Sequence, residues 1–300
     1  MAERILKARA TNEADRSKVQ LLLSFDSEQA PLVDVPDPYY SDAALFLHGS
    51  TIAINTMLER TGAKTALITT EGFRDVYEIG RINRPDAYNL YFQKHVPLIE
   101  RALRFEVKER VRADGEVLIV LDEQGLAALS DRLEQLGIEA TAIMFINCYA
   151  NGEHEARAKE FLSKRHPGMF VSASHELSQE YREFERMSTT VVNAYIGPVV
   201  GGYVQGLDKS LRGIGFKGDL TIMQSNGGVM TPEVATQRPV AMMESGPVGG
   251  IIASAQFGVA LGYQNVISFD MGGTTAKASL IKDGETTMAP GYYVGGYASG

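Results

Sequence analysis

The sequence predicts an α/β fold on three observations: short β-like runs alternate with helical stretches, paired glycines follow several of those runs, and 44% of the 300 residues are hydrophobic, enough for a substantial core. Between Ser41 and Thr70 the pattern reads strand, loop, helix, strand. An apolar run reaches His48-Gly49, a helical segment covers 51–60, Gly62 stops it, and Thr65 to Thr70 is β-like. Residues 71–120 are broken by Gly72, Gly80, Pro85 and Pro97, then predict a β-hairpin with arms 105–111 and 117–121 around Ala113-Asp-Gly115. Leu126, Leu129, Leu133 and Leu136 stand at helical spacing before Gly137, and a buried strand is expected at 141–149. Glu153 to Arg165 is a charged amphipathic helix stopped by Pro167, and Met169 to Ala173 is a short strand. A long helical region from about Glu180 to about Leu211 is expected to break near Gly197-Pro198. Asp219 to Gln224 is a strand running into Ser225-Asn-Gly-Gly228. A helix over 247–261, with Pro247 near its first position, precedes two strands, 265–270 and 277–282, joined by a glycine turn. The clearest boundary lies near 176–190, which divides the chain into 1–180 and 181–300.

Composition excludes several function classes. With 37 acidic against 29 basic residues and a formal charge of -8, no broad electrostatic footprint for nucleic acid is expected. No stretch approaches the ~20 apolar residues that cross a bilayer, and the amino terminus lacks the apolar centre of a signal peptide. The single cysteine, Cys148, sits in an apolar run and reads as a buried, inert thiol, which suits a reducing cytoplasm. His95, His154, His166 and His175 show no metal-ligand spacing with one another or with Cys148, so no zinc site is expected.

The chemistry concentrates in glycine-bearing loops. Val266-Ile-Ser-Phe-Asp270-Met-Gly272-Gly273-Thr274-Thr275 places a carboxylate at the end of a strand expected to be buried, then two glycines and two hydroxyls. Glycines let backbone N–H groups approach phosphate oxygens, and the threonines add donors. Asp270 repels phosphate, so its expected work is to hold a magnesium ion (Mg2+) that screens the phosphate charge. A plain β-hairpin needs only the glycines. Gln224-Ser225-Asn226-Gly227-Gly228 repeats the design, although Asn-Gly is also a common turn. Glu244-Ser-Gly246-Pro opens a helix, whose exposed N–H groups favour an anion, and capping by Ser245 explains it nearly as well. His48-Gly-Ser50-Thr51, followed by Asn55, sits where strand gives way to helix. There His48 is a candidate base or donor, or a loop residue. Arg74, Asp75, Glu78, Arg81 and Arg84 read as a solvated charged face, in which two arginines are able to grip a carboxylate.

Taken together, His48-Gly-Ser-Thr-Ile-Ala-Ile-Asn55, Gly72-Phe-Arg-Asp-Val76 with Ile79-Gly-Arg81, Met223-Gln-Ser-Asn-Gly-Gly-Val229, Ser245-Gly-Pro-Val-Gly-Gly250 and Asp270-Met-Gly-Gly-Thr-Thr275 resemble the hydantoinase A, 5-oxoprolinase and acetone carboxylase β-subunit family. The five motifs stand in the family's order across roughly 45–285. The resemblance implies an actin-like ATPase (ribonuclease H-like) fold that binds ATP with Mg2+ and spends it on a cyclic amide or a ketone. It also implies a hydantoinase B-type subunit or domain as partner. In that reading His48 and Asp270 are catalytic, with Asp270 also on the metal. Gly272, Gly273, Thr274, Thr275, Lys277, Gln224, Ser225, Asn226, Gly227, Gly228 and Gly246 bind the cofactor, while Ser50, Thr51, Asn55 and Arg81 face substrate. Two departures stand out. A first phosphate loop of the type Asp-x-Gly-Gly-Thr-Phe-Thr-Asp is not seen before Ile5-Leu-Lys-Ala-Arg9, and the family's chains continue well past Gly300, so a portion of a longer protein, incomplete at both ends, is expected. A further departure is Ala276-Lys277 in place of a threonine and an aspartate found in many relatives, which sets the lysine beside the phosphate loop. The alternatives are a small-molecule kinase of the same fold and an inactive partner-binding fragment.

Overall fold

The computed structural model describes residues 21–25, for which the backbone alone is described, and 43–81, 88–92, 96–271 and 276–287. In chain order its elements are β1 (Leu21–Phe25), β2 (Leu45–Gly49), α1 (Ile52–Glu59), β3 (Thr65–Thr70), α2 (Val76–Ile79), β4 (Arg104–Val107), β5 (Arg110–Val111), β6 (Val117–Ile119), α3 (Glu123–Gln135), β7 (Ala140–Met144), α4 (Glu153–Arg165), β8 (Phe170–Ala173), α5 (Ser174–Leu177), α6 (Glu183–Gly213), β9 (Asp219–Met223), β10 (Val229–Met230), α7 (Pro232–Gln237), α8 (Ser245–Ala260), β11 (Val266–Met271), β12 (Ala276–Lys282) and β13 (Glu285–Thr286). They form two compact units. The first holds the described residues up to Asn55 and from Val200 onward, and the second holds those from Thr56 to Val199.

In the second unit β4, β3, β7 and β8 form one parallel sheet. Every residue of β3 and β7 is buried, as parallel strands covered on both faces must be. Alternation along the strands divides the core. Ala66, Ile68 and Ile143 face a cluster with Leu126, Leu133, Ala158 and Leu162. Leu67, Ala142 and Met144 face Met187, Val191 and Ala194, which recur at helical spacing on α6.

In the first unit β1, β2 and β9 run parallel and β10 closes the sheet antiparallel. Phe46 on β2 meets the Phe216 ring edge-on, with centroids 6.0 Å apart. A second sheet, β11-β12-β13, is antiparallel, with α8 packed against it: the Ser254 and Ser268 hydroxyls are 3.1 Å apart.

Three expectations need correction, and one strand was not expected. The run 105–111 is not one hairpin arm: Arg104–Val107 joins β3 in the parallel sheet, and only Arg110–Val111 pairs with β6. The helix does not break at Pro198, because burial of Ile196 and Val200 on either side outweighs one missing backbone donor. Gly197 serves a close approach instead, since a Cβ there would lie 2.5 Å from the Phe170 ring. The strand ending at Asp270 is not buried: Ile267, Phe269 and Met271 are 71%, 64% and 71% exposed. The α8 helix packs on Val266 and Ser268, and no element among the described residues covers the opposite face. Finally, Leu21–Phe25 is a strand that the pattern reading left out.

Candidate functional site

In the first unit, β2 and β9 are parallel neighbours, with His48 in register with Ile222. The loops that follow them, beginning at Ser50 and at Gln224, therefore leave from the same, carboxyl edge of the sheet. In open parallel sheets that edge is where ligands bind.

The first turns of α8 meet both loops and β12. Ser245, fully buried, accepts a hydrogen bond from the Ser50 N–H through its Oγ at 3.1 Å, and the same hydroxyl donates to the Ser50 carbonyl at 3.1 Å. Ser245 is thus a clamp between helix and loop and not the cap that its position suggests. The cap position belongs to Glu244, held in the left-handed region at φ 59°. The approach is close enough to require glycine. A Cβ on Gly49 would lie 3.0 Å from both Gly246 Cα and the Ser245 carbonyl oxygen.

The second loop turns tightly on itself. Gln224 N–H donates to the Gly228 carbonyl at 2.8 Å, Gly227 N–H to the Gln224 carbonyl at 3.0 Å, and Gly228 N–H to Asn226 Oδ1 at 2.9 Å. Ser225 Oγ lies between the carbonyls of Ala241, at 2.9 Å, and Met243. Gly227, at φ 84°, sits beside Ile252 and Val248 of α8.

The third segment arrives on β12. Lys277 is in register with Asp270, and its Nζ forms an ion pair with Glu244 Oε2 at the start of α8. Both side chains are largely sheltered, so the pair stands in weakened solvent screening. Asp270 itself is exposed. Gly272, Gly273, Thr274 and Thr275 lie outside the described residues.

The remaining sequence-derived candidates divide. His48 is 2% exposed, and its Nε2 is 2.7 Å from the Tyr203 hydroxyl. Thr51 accepts from Asn55 Nδ2 at 3.3 Å and also from the Asn55 N–H through its carbonyl, a first-turn arrangement on α1. Arg81 belongs to the second unit, where it makes a two-pronged pair with Glu185 at 2.8 and 2.6 Å. Asp75, Glu78 and Arg74 likewise find partners from other segments in Arg101, Arg104 and Glu106. Sequence reasoning missed Tyr203 as a site neighbour and missed the pairing of Glu244 with Lys277. Glu244 opens a segment already singled out, whereas Tyr203 is 155 residues from His48 and carries no local signal.

The second unit also buries a polar network. Glu155 accepts from the Phe145 N–H, the Ser174 hydroxyl and His175, all within 2.9 Å. The hydrogen bond to Glu155 raises the His175 pKa above its ordinary value. Cys148, 3.0 Å from the Ser174 hydroxyl, has its thiol pKa pushed up by burial first and by Glu155 second, so it stays protonated and inert. Glu109, hydrogen-bonded to His154 at 2.8 Å and to Thr70, is raised chiefly by burial.

Two family models match the chain: the hydantoinase/oxoprolinase N-terminal region over residues 21–166 and the hydantoinase/oxoprolinase model over 186–299. An uncharacterized protein of Methanocaldococcus jannaschii is 42% identical over 84% of this chain and 38% of its own length. Caprolactamase subunit alpha of Pseudomonas jessenii is 34% identical over 85% of this chain and 37% of its own. The crystal structure of that organism's ATP-dependent caprolactamase superposes with a TM-score of 0.73, at 34% identity over 83% of this chain and 36% of that one. Nucleotide-free acetone carboxylase, from work on ATP-dependent acetone carboxylation, superposes at 0.76 with 25% identity, covering 84% and 37%. This chain therefore spans less than two fifths of the length of these relatives. The mixed α/β architecture is consistent with the actin-like ATPase class.

Proposed function

Because the chain belongs to the hydantoinase/oxoprolinase family, we propose that it forms part of an ATP-dependent enzyme that opens a cyclic amide or carboxylates a ketone. The observation that carries this reading is the convergence of the Ser50 loop, the Gln224–Gly228 loop and Lys277 on the first turns of α8, in the unit that also carries Asp270. The residues present suit a nucleotide. Glycines at 49, 227 and 246 let the two loops pack closely against a helix start, where N–H groups favour anions. Asp270 would hold magnesium. Among the described residues no three His, Cys, Asp or Glu side chains gather into a metal cluster, so water and phosphate oxygens would complete its shell.

When bound, Mg-ATP supplies a phosphoryl group able to activate an amide or enolate oxygen. The chain's own residues do the positioning. Ser245 fixes the Ser50 loop to the helix, Glu244 holds Lys277 until a stronger anion competes for its charge, and His48 orients the Tyr203 hydroxyl. Gly272 to Thr275 would contact phosphate, and Ser50, Thr51 and Asn55 would face substrate. The named relatives include a subunit of a larger enzyme, and a partner subunit of the hydantoinase B type belongs to this reading. So does the division of the chain at about residue 180.

Calorimetric titration of Mg-ATP tests the proposal. Binding that is lost in Asp270→Ala supports it, and binding that is absent, or undiminished in the variant, rejects this loop as the phosphate site. In the full-length protein with its partner, phosphate release stimulated by hydantoin, 5-oxoproline, caprolactam or acetone then selects the substrate branch.

A further inference from the structure

A cleft of about 310 Å3 opens in the second unit, formed entirely by residues of that unit. Its apolar walls are Phe73, Val76, Ile146 and Phe184, and its polar lining includes Arg110, Asn147 and Glu183. Charge pairing in the surrounding segment makes Arg110 unusual. Arg74, Arg81, Arg101 and Arg104 each carry a carboxylate partner, whereas Arg110 forms no ion pair among the described residues. Its guanidinium carbon lies over the Phe73 ring, 4.7 Å from the centroid, a cation–π contact that leaves its N–H donors for a ligand. Glu183, also on the wall, forms no ion pair among the described residues. Asn147 holds the left-handed conformation at φ 60°, and its amide Nδ2 donates to the Val111 carbonyl at 2.9 Å, leaving Oδ1 as an acceptor.

A cation and an anion that form no ion pair, and an extra acceptor, line one small cleft together with Arg81, whose charge Glu185 pairs, and its other side-chain walls are aromatic and aliphatic. We propose that this cleft binds a small zwitterion: its carboxylate on Arg110, its ammonium on Glu183 and Asn147 Oδ1, and an apolar body between Phe73 and Phe184. A lone anion satisfies Arg110 but leaves Glu183 repelling it, and a lone amine does the reverse. The inference rests on the second unit alone and stands whether or not the first unit binds ATP.

Ligand-observed saturation-transfer NMR titrations of 5-aminopentanoate, pentanoate and pentylamine into the whole chain test it, since the three share a body and differ only in charged ends. The expected order is 5-aminopentanoate above pentanoate above pentylamine. Arg110→Gln weakens 5-aminopentanoate by about tenfold or more, the loss of one charge-assisted pair, and Arg110→Lys weakens it less. Glu183→Gln lowers 5-aminopentanoate to the level of pentanoate while pentanoate itself is unaffected or improved. An unchanged circular-dichroism spectrum and melting temperature in each variant separates lost binding from lost folding. Three results overturn the proposal: no saturation transfer to 5-aminopentanoate at millimolar concentration, equal affinity for all three compounds, or undiminished binding in a folded Arg110→Gln chain.

Discussion

Replacing Gly49 by alanine inserts one methyl group where β2 meets the start of α8. The new Cβ would stand 3.0 Å from Gly246 Cα and 3.0 Å from the Ser245 carbonyl oxygen, against an optimum of ~3.5–4.0 Å for carbon contacts. Both obstructing atoms are main chain, so no rotamer change relieves the overlap. Strand and helix must separate by several tenths of an ångström, at the cost of the paired Ser245–Ser50 hydrogen bonds. Overpacking of this kind costs ~1–3 kcal/mol. Gly250 supplies the internal contrast. It lies within α8, and nothing comes within 4 Å of a Cβ built there. Gly250→Ala therefore gains helix propensity of ~0.5–1 kcal/mol. Two glycines, one on each side of the same Ser50–Ser245 contact, thus change stability in opposite directions. Because the chain divides into two compact units, hydrogen–deuterium exchange of peptides covering β2 and α8 is a better assay than a single global melt. Faster exchange in both peptides is expected for Gly49→Ala and slower exchange in α8 for Gly250→Ala. Unchanged protection in Gly49→Ala would refute the close-approach argument, and with it the clamp that supports the proposed site.

Two further outcomes follow from single residues. Ser245→Ala removes both hydrogen bonds to Ser50, each worth roughly 1 kcal/mol net, and is expected to loosen the same two peptides without affecting exchange in β3 or β7; protection equal to the parent's would remove the clamp. His175 has a folded pKa above its ordinary 6.5 because Glu155 hydrogen-bonds its ring. Its stabilising contribution is then full below pH 6.5 and disappears as pH rises through the raised value. His175→Gln should accordingly lower the melting temperature of the second unit more at pH 6 than at pH 9, as differential scanning fluorimetry at the two pH values would reveal; an equal loss at both argues against a charged pair.

Much of the fold was legible because local chemistry and tertiary packing agree. The amphipathic helix over 153–165, the strand over 65–70 and the glycine-bearing loops after β2 and β9 all arise where periodicity, breakers and burial point the same way. The run 105–111 shows the limit of that reading. Its alternation suits a strand, but alternation says nothing about which neighbour supplies the hydrogen bonds, and β3 was available. The Pro198 helix shows the same limit from the other side, since a local breaker gives way when the flanking residues are buried.

For the site, the sequence by itself determined which short segments carry phosphate-binding chemistry and in which order they come, because glycines, hydroxyls and a carboxylate at fixed spacing are properties of a few adjacent residues. Only the tertiary structure decided their company. Ser245 became a clamp on Ser50, Lys277 was neutralised by Glu244, His48 was matched with Tyr203, and Arg110 was left without a carboxylate beside Phe73. These pairings join residues 33 to 195 positions apart. Hydrogen bonds and ion pairs depend on separations of a few ångströms, which chain folding sets and sequence spacing does not.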